Sequence, residues 1–193
     1  MAIHPDFPGL KVEIAVDAKA LQEHNNPDPE PSPKTITKYI EAIDDAKFSV
    51  RLAIPGPLFE EYRAIRAAIR LEGEDMIRRI YRGASCKRLG VNSVVSSSRA
   101  YVDGVDMGQD FHFSQFGIYE ATSIIDDGLR KAVASMGQVS VVFHAVHNVR
   151  RRIMENRVPS LRQYKSIPEN ALKGSSISHS ARFVRHPGSL PVR

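Results

Sequence analysis

At 193 residues, with 42% hydrophobic and 25% charged side chains, the chain is long and apolar enough to build one sizeable core. It has no apolar run long enough for a spanning helix, and its first residues, MAIHPDFPG, lack the basic start and apolar stretch of a secretory signal. The net charge of +5 is unevenly spread, with −5 over residues 1–75 and +10 over residues 76–193.

In chain order, residues 10–16, LKVEIAV, alternate cleanly and predict a strand, with Val12, Ile14 and Val16 on one side. A turn is expected over Asp17 to Ala20. NNPDPEPSP, residues 25–33, holds four prolines in nine positions and reads as an extended, solvated loop. Residues 34–54, KTITKYIEAIDDAKFSVRLAI, predict a hairpin. Its first strand carries Ile36, Lys38 and Ile40 on one side, its second Phe48, Val50, Leu52 and Ile54, and Asp44-Asp45-Ala46 makes the connection.

Pro55-Gly56-Pro57 stops that strand, and the period then changes. Leu58, Tyr62, Ile65 and Ile69 are spaced by four, three and four, which predicts an amphipathic helix over residues 58–71. Glu60 and Glu61 suit its N-terminal end and Gly73 its stop, while Arg63, Arg66 and Arg70 line a solvated face. Residues 74–83, EDMIRRIYRG, fit helix or strand.

The strand period returns at residue 94, and Asp103-Gly104 is a strong turn signal. DFHFSQF offers Phe111, Phe113 and Phe116 as core anchors. Helical spacing runs from Ile124 to Ala134 and ends at Gly137. The clearest strand is QVSVVFHAVHNV, with Val139, Val141, Phe143 and Ala145 on one face; its other face, Val142, His144 and Val146, is also apolar, which predicts a central strand. Beyond Arg150 the alternation fades into a basic, proline-punctuated tail.

Chemistry-bearing patterns are sparse. His144 and His147, three apart in a strand, point to opposite faces and cannot readily share an ion, so His144 is expected to be a packed or hydrogen-bonded core residue. Asp103, Asp106 and Asp110 lack the spacing of a calcium loop and read as turn formers and solvent-facing charges. Ser96-Ser97-Ser98 is not a nucleophile elbow, and there is no phosphate-binding glycine loop. The lone cysteine, Cys86, beside Lys87 and Arg88, allows no internal disulfide; with the lack of an Asn-x-Ser/Thr acceptor it favours a reducing compartment, cytoplasm or nucleus. The strongest surface feature is Arg150-Arg151-Arg152 with Arg157, followed by Arg162 and Lys165. Clustered arginines suit an acidic partner, a phosphate backbone or an import receptor, although only Tyr164 among them offers a ring for base stacking.

Several motifs in order resemble a known family: Pro8-Gly9-Leu10, Lys38-Tyr39-Ile40-Glu41-Ala42, Phe48-Ser49-Val50-Arg51-Leu52, Tyr101-Val102-Asp103-Gly104, Gly137-Gln138-Val139-Ser140-Val141, and Ala171-Leu172-Lys173-Gly174 with Ser178-His179. The series is similar to an uncharacterised family abundant in filamentous fungi, a domain of unknown function. The resemblance implies a single β-sandwich-like domain with a less ordered tail, and it brings no activity, cofactor or catalytic residue. The arginine-bearing stretch 56–90 is longer than the short connection of that family, as for an insertion on the sandwich rim or a divergent member.

The expected molecule is thus mainly β: an antiparallel β-sandwich-like domain over residues 1–149, a helical insertion at about 56–83, and a basic C-terminal tail over 150–193. Its expected role is a non-enzymatic interaction module with an unidentified protein partner, touching an acidic surface through Arg150, Arg151, Arg152 and Arg157. The alternative is a nucleic-acid-associated nuclear protein using the same basic segment, and the third is an enzyme whose site follows no familiar motif. No cofactor, metal or membrane is expected.

Overall fold

A computed structural model describes residues 2–4, 6–27, 32–103, 105–120, 127–147, 161, 164–172 and 177–187. In chain order the elements are β1 (Ala2–Ile3), β2 (Lys11–Val16), β3 (Lys19–Ala20), β4 (Glu23–Asn25), β5 (Lys38–Ile40), β6 (Phe48–Ile54), α1 (Leu58–Glu61), β7 (Ala64–Leu71), β8 (Glu74–Arg82), α2 (Gly83–Cys86), β9 (Val91–Val95) and β10 (Ser97–Val102). They continue with β11 (Val105–Gln115), β12 (Gly117–Tyr119), α3 (Asp127–Ala134), β13 (Val139–Val146), β14 (Ser166–Pro168), a single 3-10 turn at Glu169–Ala171, and β15 (His179–Pro187).

Three antiparallel sheets dominate. The first runs β1-β2-β6-β9 with β3 folded back on β2, the second β10-β11-β15, and the third β13-β7-β8. Only Ser96 separates β9 from β10, and its carbonyl accepts the Phe111 N–H at 2.9 Å. A bridge between Lys47 and His112 and the Phe113 N–H to Ala46 carbonyl bond (3.0 Å) stitch the first two sheets further. The third sheet faces the same core: Phe48, Val50 and Leu52 meet Ala67, Ile69 and Leu71, with Phe111, Phe113 and Ala181 from the second sheet. Phe48 stacks on Phe113 with ring centroids 4.5 Å apart. Each such buried aromatic or branched side chain contributes about 1.5–3 kcal/mol through removal from water.

Mainly antiparallel β structure around one core is the class that the alternation predicts. Several local expectations are corrected. Residues 64–71, expected as helix, form strand β7, and only Leu58–Glu61 is helical at the front of that stretch. Ile65, Ala67, Ile69 and Leu71 point inward at a spacing of two, and hydrogen bonds to both β8 and β13 outweigh the helical spacing of the same apolar residues. The expected hairpin over residues 34–54 does not form: β5 pairs with β4, while β6 lies between β2 and β9. Its central turn does exist, with Asp45 at φ 57° and the Ala46 N–H bonded to the Ile43 carbonyl.

β13, expected at the centre of a sheet, pairs among the described residues only with β7, and Val139, Val141 and Phe143 are half-buried rather than buried. The segment after residue 150 contributes β14, parallel to β12, and β15, which pairs along its whole length with β11. A second small core collects Phe116, Val133 and Met136 with Ile167 and Leu172 around α3. The Asp103 turn closes β10 on β11, and Val102 pairs with Val105.

Candidate functional site

Arg150, Arg151, Arg152 and Arg157, the residues singled out for contact with an acidic partner, lie outside the described residues, as does Arg162. Lys165 is exposed and Tyr164 packs against the second core. The described arginines gather elsewhere, on the outer face of the third sheet.

Register alone builds this face. Side chains alternate across a strand, so with Ile65, Ala67 and Ile69 inward, Ala64, Arg66, Ala68 and Arg70 of β7 point outward. Arg82 stands opposite Ala64, Ile80 opposite Arg66, and Arg78 opposite Ala68. On the other flank His144 of β13 stands opposite Arg66, and Val142 opposite Ala68. Arg66 therefore has Arg78 and Arg82 as diagonal neighbours, a spacing of about 7–8 Å between such positions. Arg78, Ile80 and Arg82 are exposed, as is His144. The exposure of His144 corrects the expectation of a core histidine: among the described residues the strand that carries it pairs on one side only.

The charge on this face is partly neutralised. Asp75 accepts from Arg70 Nε at 2.8 Å and also from the Arg78 guanidinium. The Arg70 hydrogen bond is the main reason that the Asp75 carboxyl lies below its usual range, and Arg78 adds to it against the opposing effect of burial. Arg66 and Arg82 have no ion-pair partner among the described residues, and Arg66 Nε is buried without a hydrogen-bond acceptor among them. The positive end of the face is thus the Arg66–Arg82 end. Arg79 points the other way, and its Nη1 donates to Ser93 Oγ of β9 at 2.9 Å.

The same end of the sheet borders an apolar pocket of about 140 Å³. Ile65, Phe143 and Ala145 come from the sheet, Leu58 and Tyr62 from α1 and its exit, and Phe7 and Leu10 from the N-terminal loop; His144 is on the rim. The loop is set by the Leu10 N–H bonding back to the Phe7 carbonyl at 3.0 Å. Below, Ile54 and Phe59 are almost wholly buried. Gly90, at φ +69°, makes this end compact, because a Cβ there would sit 2.5 Å from the Ile54 carbonyl oxygen. Beside the pocket the Glu61 carboxylate accepts from the Tyr62 hydroxyl, which raises the pKa of the phenol.

Several polar groups elsewhere have structural partners. Burial pushes the Asp110 carboxyl up, but hydrogen bonds and charge from Lys47 (2.6 Å) and His186 (3.3 Å) outweigh it, and the net shift is downward. Asp106 lies 3.6 Å from Arg99. Ser98 is buried and donates to Gln109 Oε1 at 3.1 Å, and Cys86 is half-buried. Ser178 Oγ and His179 Nδ1 are 2.8 Å apart, but no carboxylate among the described residues orients that ring, and its Nε2 is buried without a partner among them. Among the described residues no group of three His, Cys, Asp or Glu side chains converges as for a metal ion. No helix among them is long and apolar enough to cross a membrane. What the arrangement offers chemically is binding: cations on a sheet face beside an apolar hollow.

Sequence reasoning placed Arg66 and Arg70 on a solvated helix face and did not connect them with Arg78 and Arg82. The signal was present in the spacing. Separations of four are even, so once both segments are strands each pair must share a face.

In comparisons with known proteins, the model of a family described as a domain of unknown function (DUF7918) matches residues 9–191. No curated protein and no solved structure matches.

Proposed function

Starting from the chain's membership of the DUF7918 family, a domain of unknown function, we propose that it is a non-enzymatic interaction module binding an acidic segment of a protein partner in a cytoplasmic or nuclear compartment. The observation that carries this reading is the outer face of the third sheet, where Arg66 and Arg82 lack acidic partners among the described residues while Arg70 and Arg78 share Asp75. Guanidinium groups held at strand spacing are suited to carboxylates, which they engage through paired N–H donors. The C-terminal arginines Arg150, Arg151, Arg152 and Arg157 extend the same preference from outside the described residues.

A protein carboxylate is favoured over a nucleic-acid strand because, among the described residues, this face presents no phenylalanine, tyrosine or tryptophan ring and only the imidazole of His144. Its other outward members include Ile80, Val142 and the buried Ala64 and Ala68, and Tyr81 packs into the core. Single-strand binding by sheets relies on stacked rings. The test is a titration of the protein with a labelled oligoglutamate peptide and a labelled RNA duplex at low and physiological salt. Peptide binding lost in Arg66→Glu supports the reading. Duplex binding that falls steeply with salt and exceeds peptide binding favours the nucleic-acid alternative. Absence of binding to either probe removes the arginine face from consideration and leaves an enzymatic role to be sought.

A further inference from the structure

The edge of β13 has an unusual composition for its place. Natural edge strands are blunted by lysine, proline, bulges or brevity, because a bare row of N–H and C=O groups pairs with any extended chain. β13 is eight residues long, VSVVFHAV, and has no proline and no acidic, lysine or arginine side chain. In a chain with 25% charged residues this is a marked gap. Among the described residues only β7 pairs with it, in register from Val139↔Leu71 to Val146↔Ala64 without a bulge. Its residues Phe143 to Ala145 also wall the apolar pocket.

We propose that the edge of β13 with which no described strand pairs and the pocket beside it form a docking groove for an extended acidic segment, which adds as a further strand and seats one apolar side chain in the pocket. This rests on the acidic-partner reading above and specifies how that partner binds. Strand addition supplies main-chain hydrogen bonds, and the pleat then dictates the side chains. Alternate residues of the incoming strand share the outer face with His144 and Arg66, and the residues between them face the pocket side. The partner therefore alternates carboxylate and apolar residues.

Distance sets the order of importance. Strands are about 4.8 Å apart, so Arg66 lies about two strand spacings from the incoming backbone, within the combined reach of an arginine and a glutamate. Arg82, one strand further, is beyond contact and acts only through its field, which physiological salt screens over about 8 Å. A cavity of about 150 Å³ accommodates a group the size of benzene, so the pocket of about 140 Å³ suits a single leucine or phenylalanine side chain. A second copy of this chain is the weaker occupant, since it brings a net charge of +5 to the same positive surface.

The experiment compares two labelled peptides of identical composition, one of Glu-Leu repeats about as long as β13 and one with all glutamates before all leucines, against the full chain by fluorescence anisotropy. The groove predicts tighter binding of the alternating peptide by about tenfold or more, the order expected from burying one leucine side chain. Ala145→Lys, at an exposed pocket position, should abolish that advantage with the melting temperature unchanged. Arg66→Glu should weaken both peptides, and Arg82→Glu should matter mainly at low salt. Equal binding of the two peptides by the wild type overturns the groove and leaves the arginine-face reading standing. Binding of neither peptide overturns both. A wild-type dimer that Ala145→Lys converts to monomer overturns the proposal in favour of edge-to-edge self-pairing.

Discussion

Glu72 Oε1 accepts the backbone N–H of Ala181 at 2.7 Å, tying the turn between β7 and β8 to β15, more than a hundred residues later in the chain. Glu72 sits at φ 52°, and its own N–H bonds to the Gln138 carbonyl, so one residue fastens three segments. Burial raises its pKa, and the hydrogen bonds from the Ala181 and Gly137 N–H groups oppose this without cancelling it.

A pH signature follows from that shift. Because the folded pKa lies above the unfolded carboxylate value, the native state holds the proton more tightly, and stability falls as pH rises from the ordinary value of 4.5 through the raised one. Glu72→Gln keeps an acceptor for Ala181 and removes the ionisation, so its stability should lose this slope and at neutral pH equal or exceed that of the wild type. Glu72→Ala should destabilise by about 1–3 kcal/mol at every pH, by leaving a buried N–H unsatisfied. Denaturant titrations of the three proteins at several pH values check both outcomes.

Phe111 is fully buried at the junction of the sheets, with ring centroids 5.8 Å from Phe48 and 6.2 Å from Phe183. Phe111→Ala should cost about 3–5 kcal/mol, measured as a shift in the urea midpoint. A loss under one kcal/mol would mean that the sheets do not share this core.

β7 is hydrogen-bonded on both sides, so proline there removes a ladder bond from the centre of a sheet. Ala67→Pro should abolish cooperative unfolding. Pro substituted at Leu58, where it costs one turn bond to the Pro55 carbonyl rather than a ladder bond at the centre of a sheet, should be milder. Thermal melts followed by circular dichroism separate the two.

Asp75 restrains the arginine face. Its depressed pKa means that the stability from its pairs with Arg70 and Arg78 is present above the unfolded value of 3.8 and is lost as pH falls through the lower, folded value. Asp75→Asn should tighten binding of an oligoglutamate peptide severalfold at low salt, because two guanidiniums are released, while flattening the acid limb of stability. Peptide affinity that falls in this variant would place the contact away from Arg70 and Arg78.

The sequence by itself determined the class of the fold and several of its parts. Alternation in residues 10–16 and 48–54 yields β2 and β6, the turn signal at Asp103 falls between β10 and β11, and the helical spacing that ends at Gly137 contains α3. These are local signals: the period of apolar residues and the φ preferences of turn residues act within a few positions. Tertiary structure decided the rest. Residues 64–71 satisfy a helical and a strand period equally well, because alanines at 64, 67 and 68 fit either, and only pairing with β8 and β13 selects the strand. Strand neighbours were likewise undetermined, since β6 could close on its predecessor or on β2, and that choice depends on which faces bury the most apolar surface. The arginine face follows from these choices. Four arginines on two strands become one surface only when register sets them side by side, and register is a long-range property that no local stretch encodes.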